Sequence, residues 1–404
     1  MHPMVKPALR RGWRDLNTVQ FGMTPAHALT LGPVDTATGS FLDLLNGTRG
    51  LPLLREEGHR MDLPEGHVDR LVRRLGRAGL LDDARGGGAA ARALRGRKEV
   101  MDRLAPDLAS LSLVVREPGE AIDRLAARRA ARVQVRGAGR VGAVLAALLS
   151  GAGVGEVEVR DGGCVEPWDV APGGLEAEAV GGRRDAAARQ AVRRAAPDRP
   201  ARRGPGTSGE EHEPGHTLVV IAPRDDLAVH APDPAAAAPL IASGTPHLYA
   251  GVVEATGVVG PLVLPGRTSC AECLHLRRTD RDETWPRLVA QWKSGGRRTV
   301  RPCDLALATT VAGLAAAHAL AFLDGLSPSS AGARWEVSTP GLNWHGRPLR
   351  PHPDCPCRAA RKPEAEGASK EDGPRETMAG QGPSSAPCRE AAGARLAGTW
   401  RAHV

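Results

Sequence analysis

The hydrophobic positions of the chain change rhythm near residue 131. Before it, short mixed segments alternate. "TVQFG" (18–22) and "ALTLG" (28–32) read as strands, and "DTATGSFLDLLNGTR" (35–49) reads as a helix with Asp35 or Thr36 as its cap. "LPLLREEG" (51–58) is a second short helix, and Val68, Leu71, Val72 and Leu75 recur at helical spacing with Gly79 near the end of a third. Two strands and three helices predict a small winged-helix-like domain over 1–84. A Gly/Ala/Arg stretch at 85–97 and a charged, helix-prone approach at 98–131 then act as a linker.

From 132 to about 358 strand and helix alternate, which predicts an α/β fold around a Rossmann-like, mostly parallel sheet. Its first unit is the strand "ARVQV", three glycines, the helix "VGAVLAALLSGAG" and the strand "EVEVR" ending at Asp161. Gly137, Gly139 and Gly142 form G-x-G-x-x-G. The first permits a tight turn, the second lets backbone approach a phosphate, and the third lets the helix pack on the strand. The helix N-terminus then offers amides to an anion, and Asp161 stands where an acid can accept from a ribose hydroxyl. An exposed loop is expected over 197–216. A tail over 359–404, rich in Gly, Pro, Ser, Glu and Lys without periodicity, is expected to be disordered.

Length allows two or three domains, and 41% hydrophobic residues support packed cores. With one tyrosine among 3% aromatics, those cores must be filled by Leu, Val and Ala. The formal charge is +8, but both signs are interspersed and arginine is abundant throughout, so basicity is no argument for nucleic acid. Arg70, Arg73, Arg74 and Arg77 read as a solvated helix face, with a winged-helix DNA-binding regulator as a distant alternative. No signal-like segment is recognised and no apolar run is read as reaching membrane-spanning length, which sets the expectation of a cytoplasmic chain.

In that compartment disulfides are rare, so close cysteine pairs suggest metal. Cys270 and Cys273 form C-x-x-C, and Cys355 and Cys357 form C-x-C. Two such pairs can give one structural zinc its four tetrahedral ligands and clip the C-terminal part to the sheet; His352 is near enough to replace one cysteine. Cys303 precedes an apolar helix that Asp304 could cap. No nearby base supports a nucleophilic role, so it reads as a packing cysteine, and the catalytic residues are left unassigned.

The glycine turn, Asp161, the strand "TLVVIAP" (217–223) and above all "TPHLYAGVVEATGVVGPLVLPGRTSCAEC" (245–273) resemble the ThiF/MoeB family of ubiquitin-activating-enzyme-like proteins. The N-terminal "WRDLNTVQFG…HALTLG…FLDLLNGTRG" is similar to the leader-recognition module joined to such domains in azole- and azoline-forming peptide biosynthesis. That resemblance implies a partner protein that binds a precursor's leader peptide by strand addition and presents it to a YcaO-type cyclodehydratase. It also implies an ancestral ATP- and magnesium-dependent adenylyltransferase, and a homodimer in many relatives.

The family's activation chemistry uses an Arg in the loop after the ribose acid and a Lys at the start of the following helix. Here "DGGCVEPWDVAPGGLEAEAV" (161–180) has Asp169 near the family's Asn position and no Arg, while "GGRRDAAARQ" (181–190) offers Arg184 in place of Lys. Asp225 or Asp226 stands where the family keeps a magnesium-associated acid. The resemblance therefore implies a scaffold with a degenerate site, and as the alternative an active adenylyltransferase for a peptide or ubiquitin-like C-terminal carboxylate. A nicotinamide oxidoreductase would leave the cysteine pairs and 245–273 unexplained.

Overall fold

The structure is a computed structural model that describes residues 1–198, 215–295 and 302–357. The tail expected at 359–404 and most of the loop expected at 197–216 lie outside the described residues.

The N-terminal part contains β1 (Pro3–Val5), β2 (Arg11–Asp15), β3 (Thr18–Phe21), β4 (Leu29–Leu31), α1 (Thr36–Phe41), α2 (Leu51–Arg60), α3 (His67–Arg77) and β5 (Leu81–Asp83). Strands β2, β3 and β4 form an antiparallel sheet, and β1 pairs with β5. Val19 and Phe21 point inward from β3 onto Phe41, Leu54, Val68, Leu71, Val72 and Leu75, giving these elements one shared core. The helical spacing seen in α3 is thus the stripe that buries. Asp35 caps α1 by accepting from the Thr38 amide at 2.7 Å, as its residue type favours. Three helices, α4 (Ala89–Arg95), α5 (Lys98–Val114) and α6 (Glu120–Ala130), pack together in the segment read as linker and approach. Buried Lys6 joins the two regions by donating to the Val115 carbonyl at 2.7 Å.

The large sheet uses β6 (Arg132–Arg136), α7 (Arg140–Gly151), β7 (Glu156–Arg160), α8 (Arg184–Ala195), β8 (Leu218–Ile221), α9 (Asp226–His230), α10 (Pro234–Ala242), β9 (His247–Val253) and β10 (Thr256–Val263). It ends with α11 (Ala271–Arg281), α12 (Trp285–Ser294), α13 (Leu305–Leu323), β11 (Ala333–Ser338) and β12 (Trp344–Pro348). The strand order is β12-β11-β10-β9-β8-β6-β7. Strands β7, β6, β8 and β9 run parallel, and antiparallel pairing then leaves β11 with them and turns β10 and β12 around. The order reverses between β6 and β8. In such sheets the crevice at the carboxyl ends of those two strands is where ligands bind.

Helix α13 is 19 residues long and apolar enough to cross a membrane, contrary to the expectation that no run reaches that length. Its apolarity has another cause: Val311, Ala312, Ala315, Ala316 and Ala319 are buried in the sheet core with α7. Small side chains let it lie close to that helix. At its end Asp324 takes a two-pronged ion pair from Arg128 of α6, at 2.9 and 2.6 Å, with both side chains about 95% buried. A buried pair broken on one side leaves a desolvated charge. Asp324→Ala is expected to cost about 3–5 kcal/mol in equilibrium denaturation, and a loss well under about 1 kcal/mol would contradict this role.

Candidate functional site

The turn after β6 sits at the crevice that the strand order defines. Gly137 adopts φ +107°, and a Cβ there would lie 2.0 Å from the Ala222 carbonyl oxygen at the end of β8. Gly142, on the first turn of α7, is equally constrained, since a Cβ would lie 2.0 Å from the Gly137 carbonyl oxygen. Helix α7 starts at Gly139 with no side-chain cap, which leaves its first amides without a side-chain acceptor at the cap. A cavity of about 1260 Å³ opens there, and Gly137, Asp161, Arg184 and Asp225 all line it, with Arg136, Glu166, Arg224, His230 and Trp292. Gly139 and Gly142 line a smaller adjoining space with Trp168 and Asp169.

The charges around the turn are joined to one another. The segment Glu166–Asp169 forms a short 3-10 turn closed by a capping box, which brings its two carboxylates over the strand ends. Asp161 uses one oxygen to accept from the Ala138 amide at 2.6 Å and the other to accept from Arg184 at 2.6 Å. Arg184, about 6% exposed, also donates to Asp169 at 3.1 Å, to the Gly162 carbonyl at 2.8 Å and to the Cys164 carbonyl. Arg224, just past β8, donates to the other oxygen of Asp169 at 2.8 Å and to Glu166. The Arg224 hydrogen bond holds the Glu166 carboxyl below its usual range, and despite burial these carboxylates keep the Arg224 guanidinium above its own. Asp169 therefore bridges two arginines with one oxygen each.

Asp225, with Asp226, accepts from the Leu227 amide at 3.0 Å, the geometry of a helix cap on α9. On the far wall, His230 meets Trp285 and Trp292 edge-on at 5.8 and 6.0 Å, and burial lowers its imidazole pKa. Burial raises the Cys303 thiol pKa, and Asp304 caps α13 as expected by accepting from Leu307 at 2.9 Å.

Both Asp161 oxygens already have protein donors, and the guanidinia of Arg184 and Arg224 are held by carboxylates, while Arg136 and Lys293 also line the cavity. Sequence reasoning found Asp161 and Arg184 but passed over Arg224 and Glu166. Each lay in a segment read for another residue, and in so arginine-rich a chain a single Arg carries little signal.

The four cysteines converge away from this cavity. Cys270 precedes α11 and Cys273 lies in its first turn, while Cys355 and Cys357 follow β12. Cys270 and Cys273 sulfurs are 3.8 Å apart, Cys270 and Cys355 3.6 Å, Cys273 and Cys357 3.5 Å, and all four lie within 4.8 Å of one another. A Zn–S bond of about 2.3 Å places tetrahedral sulfurs about 3.8 Å apart, so the donor set fits a zinc-type ion. The Cys270 hydrogen bond draws the Cys273 thiol pKa down, and burial pushes Cys355 up. His352, weighed as a substitute ligand, is not part of the cluster. One ring nitrogen bonds Asp280 at 2.8 Å and the other accepts from the Asp354 amide at 3.1 Å, while its backbone amide donates to the Cys273 sulfur.

The glycine turn at the switch point of a partly parallel sheet defines a Rossmann-type nucleotide-fold protein. More specifically, the ThiF family model matches residues 113–357, and the chain belongs to that family. No curated protein sequence matches it. Among solved structures it is similar to E. coli MccB, with a TM-score of 0.63 at 13% identity over 91% of this chain and 99% of that one. The same protein with ATP superposes at 0.62 and 14% identity over 88% and 99% of the chains. PaaA superposes at 0.59 and 14% identity over 85% and 99%.

The cluster geometry predicts one tightly held zinc-type ion per chain by elemental analysis. Cys355→Ser should abolish it and lower the thermal midpoint, whereas a metal-free native protein of unchanged midpoint would contradict the assignment.

Proposed function

We propose that this chain is a peptide-binding ThiF-family scaffold: its N-terminal domain, residues 1–84, takes the leader of a ribosomally made precursor and presents the peptide to a YcaO-type cyclodehydratase. The observation that carries this reading is strand β4. Its outer edge has no strand partner among the described residues, Leu29 and Thr30 are exposed on it, and α3 stands beside it with Arg74 donating to the Gly32 carbonyl at 3.0 Å. An extended peptide can add there as a fourth strand through main-chain hydrogen bonds, with the groove toward α3 selecting side chains. The likeness to MccB, solved with N-formylated MccA and in other MccA complexes, supports a peptide as ligand.

The same likeness supports a second reading, in which the cavity adenylates a peptide C-terminus, since MccB is also solved with ATP. The internal ion pairs of Arg184 and Arg224 favour the scaffold. A transferring phosphoryl group needs cations aimed at its developing charge, and here both face carboxylates. In the scaffold reading the cluster at Cys270, Cys273, Cys355 and Cys357 holds a structural zinc, with four protein ligands and no open position for chemistry. On α3, Arg70 and Arg74 donate to backbone carbonyls, so two of the four arginines on that face are already engaged.

Titrating the full chain with short precursor peptides encoded beside it should give saturable binding to a leader. Leu29→Asp should weaken that binding about tenfold or more while leaving the thermal midpoint nearly unchanged. ATP–pyrophosphate exchange should stay at background with or without peptide. Robust peptide-dependent exchange would establish the adenylating reading, and indifference to Leu29→Asp would remove the β4 site.

A further inference from the structure

Arg224 stands in an unusual place. Its side chain leaves the end of β8 and crosses the mouth of the glycine turn, so that a Cβ on Gly139 would lie 2.8 Å from Arg224 Cγ. Its guanidinium then reaches Asp169 at 2.8 Å and Glu166 on the loop opposite. The aliphatic stem thus lies over the glycine whose lack of a side chain would let a phosphate approach backbone. The charged end ties the loop to β8 across the uncapped start of α7. Asp169 is about 97% buried and shared with Arg184, so it is a fixed anchor, whereas Glu166 is 42% exposed.

We propose that Arg224 is a lock on this cavity: paired with Glu166 and Asp169 it closes the α7 turn to polyphosphates, and released from Glu166 it becomes the cation that receives them. The proposal rests on the reading that the cavity as arranged is not an adenylation site, and it explains how that state is maintained. The loop 161–180 contains no Arg, so the second cation reaches the crevice from the strand end instead. An incoming phosphate would have to displace two carboxylates and shift the stem. Removing the Glu166 charge takes away one of the carboxylates that meet Arg224 and removes one anion from the phosphate's approach.

The test titrates magnesium-ATP and inorganic tripolyphosphate into the full chain, its Glu166→Gln variant and the Glu166→Gln/Arg224→Ala double variant. Calorimetry reads binding and thermal unfolding confirms folding. The wild type should bind both weakly or not at all. Glu166→Gln should bind both about tenfold tighter or more, as a freed charge-assisted donor allows, and the double variant should fall back to wild-type level.

Three results would overturn the lock: micromolar binding by the wild type, no gain on Glu166→Gln, or a gain that survives loss of Arg224. The last would show that Glu166 only repelled anions. Leader binding measured on the same preparations is independent of all three, so failure of the lock and failure of the peptide reading are told apart.

Discussion

The crevice depends on one carboxylate. Asp169 is almost fully buried, and its charge is tolerable there because two guanidinia meet it, Arg184 from the start of α8 and Arg224 from the end of β8. A buried ion is expensive unless paired and hydrogen-bonded. Here the pairing draws three separate chain segments onto the carboxyl ends of β6, β7 and β8. Arg184 also completes Asp161, whose second oxygen supports the glycine turn through Ala138. The turn, the loop after β7 and the strand end at 222–224 are therefore one electrostatic unit. The charges at the mouth of this Rossmann-type cavity are thus paired within the protein itself.

A second constraint works at the far end of the sheet. The strands after β9 turn back on themselves, so β10, β11 and β12 form an antiparallel extension whose last strand is short and mostly exposed. An exposed edge of this kind has little hydrophobic burial to hold it. The four sulfurs converge there and could hold a metal that would join the segment after β12 to the start of α11, which packs beneath Tyr249 and Val263. In the scaffold reading the two ends of the chain divide the work: a cross-linked α/β body provides rigidity, and an open strand edge near the N-terminus binds peptide.

Much of this was legible in the residues. The β6–turn–α7–β7 unit announced itself because parallel strands, a glycine turn and a largely apolar helix are each strong local patterns, and the cysteine pairs because their spacing has few other uses. Strands β2 and β12 were not legible: "RGWRD" and "WHGRP" have no buried face to create alternation, since both are edge strands with nearly all positions exposed. The charge network was legible only in part. Asp161 and Arg184 follow a family pattern, but Arg224 acts through a neighbour 55 residues away and obeys no local rule. Helix α13 misled in the opposite sense, because a run of alanines that packs against α7 has the same apolarity as one that would face lipid.

In the proposed arrangement peptide recognition resides at β4 while the glycine turn is closed. Hydrogen–deuterium exchange of the full chain, with and without the bound precursor peptide, tests it most directly. The account predicts slowed exchange across Leu29–Leu31 and the facing part of α3, with residues 137–142 unchanged even when ATP is added. Protection of 137–142 by ATP, with β4 exchanging at its free rate, would contradict it.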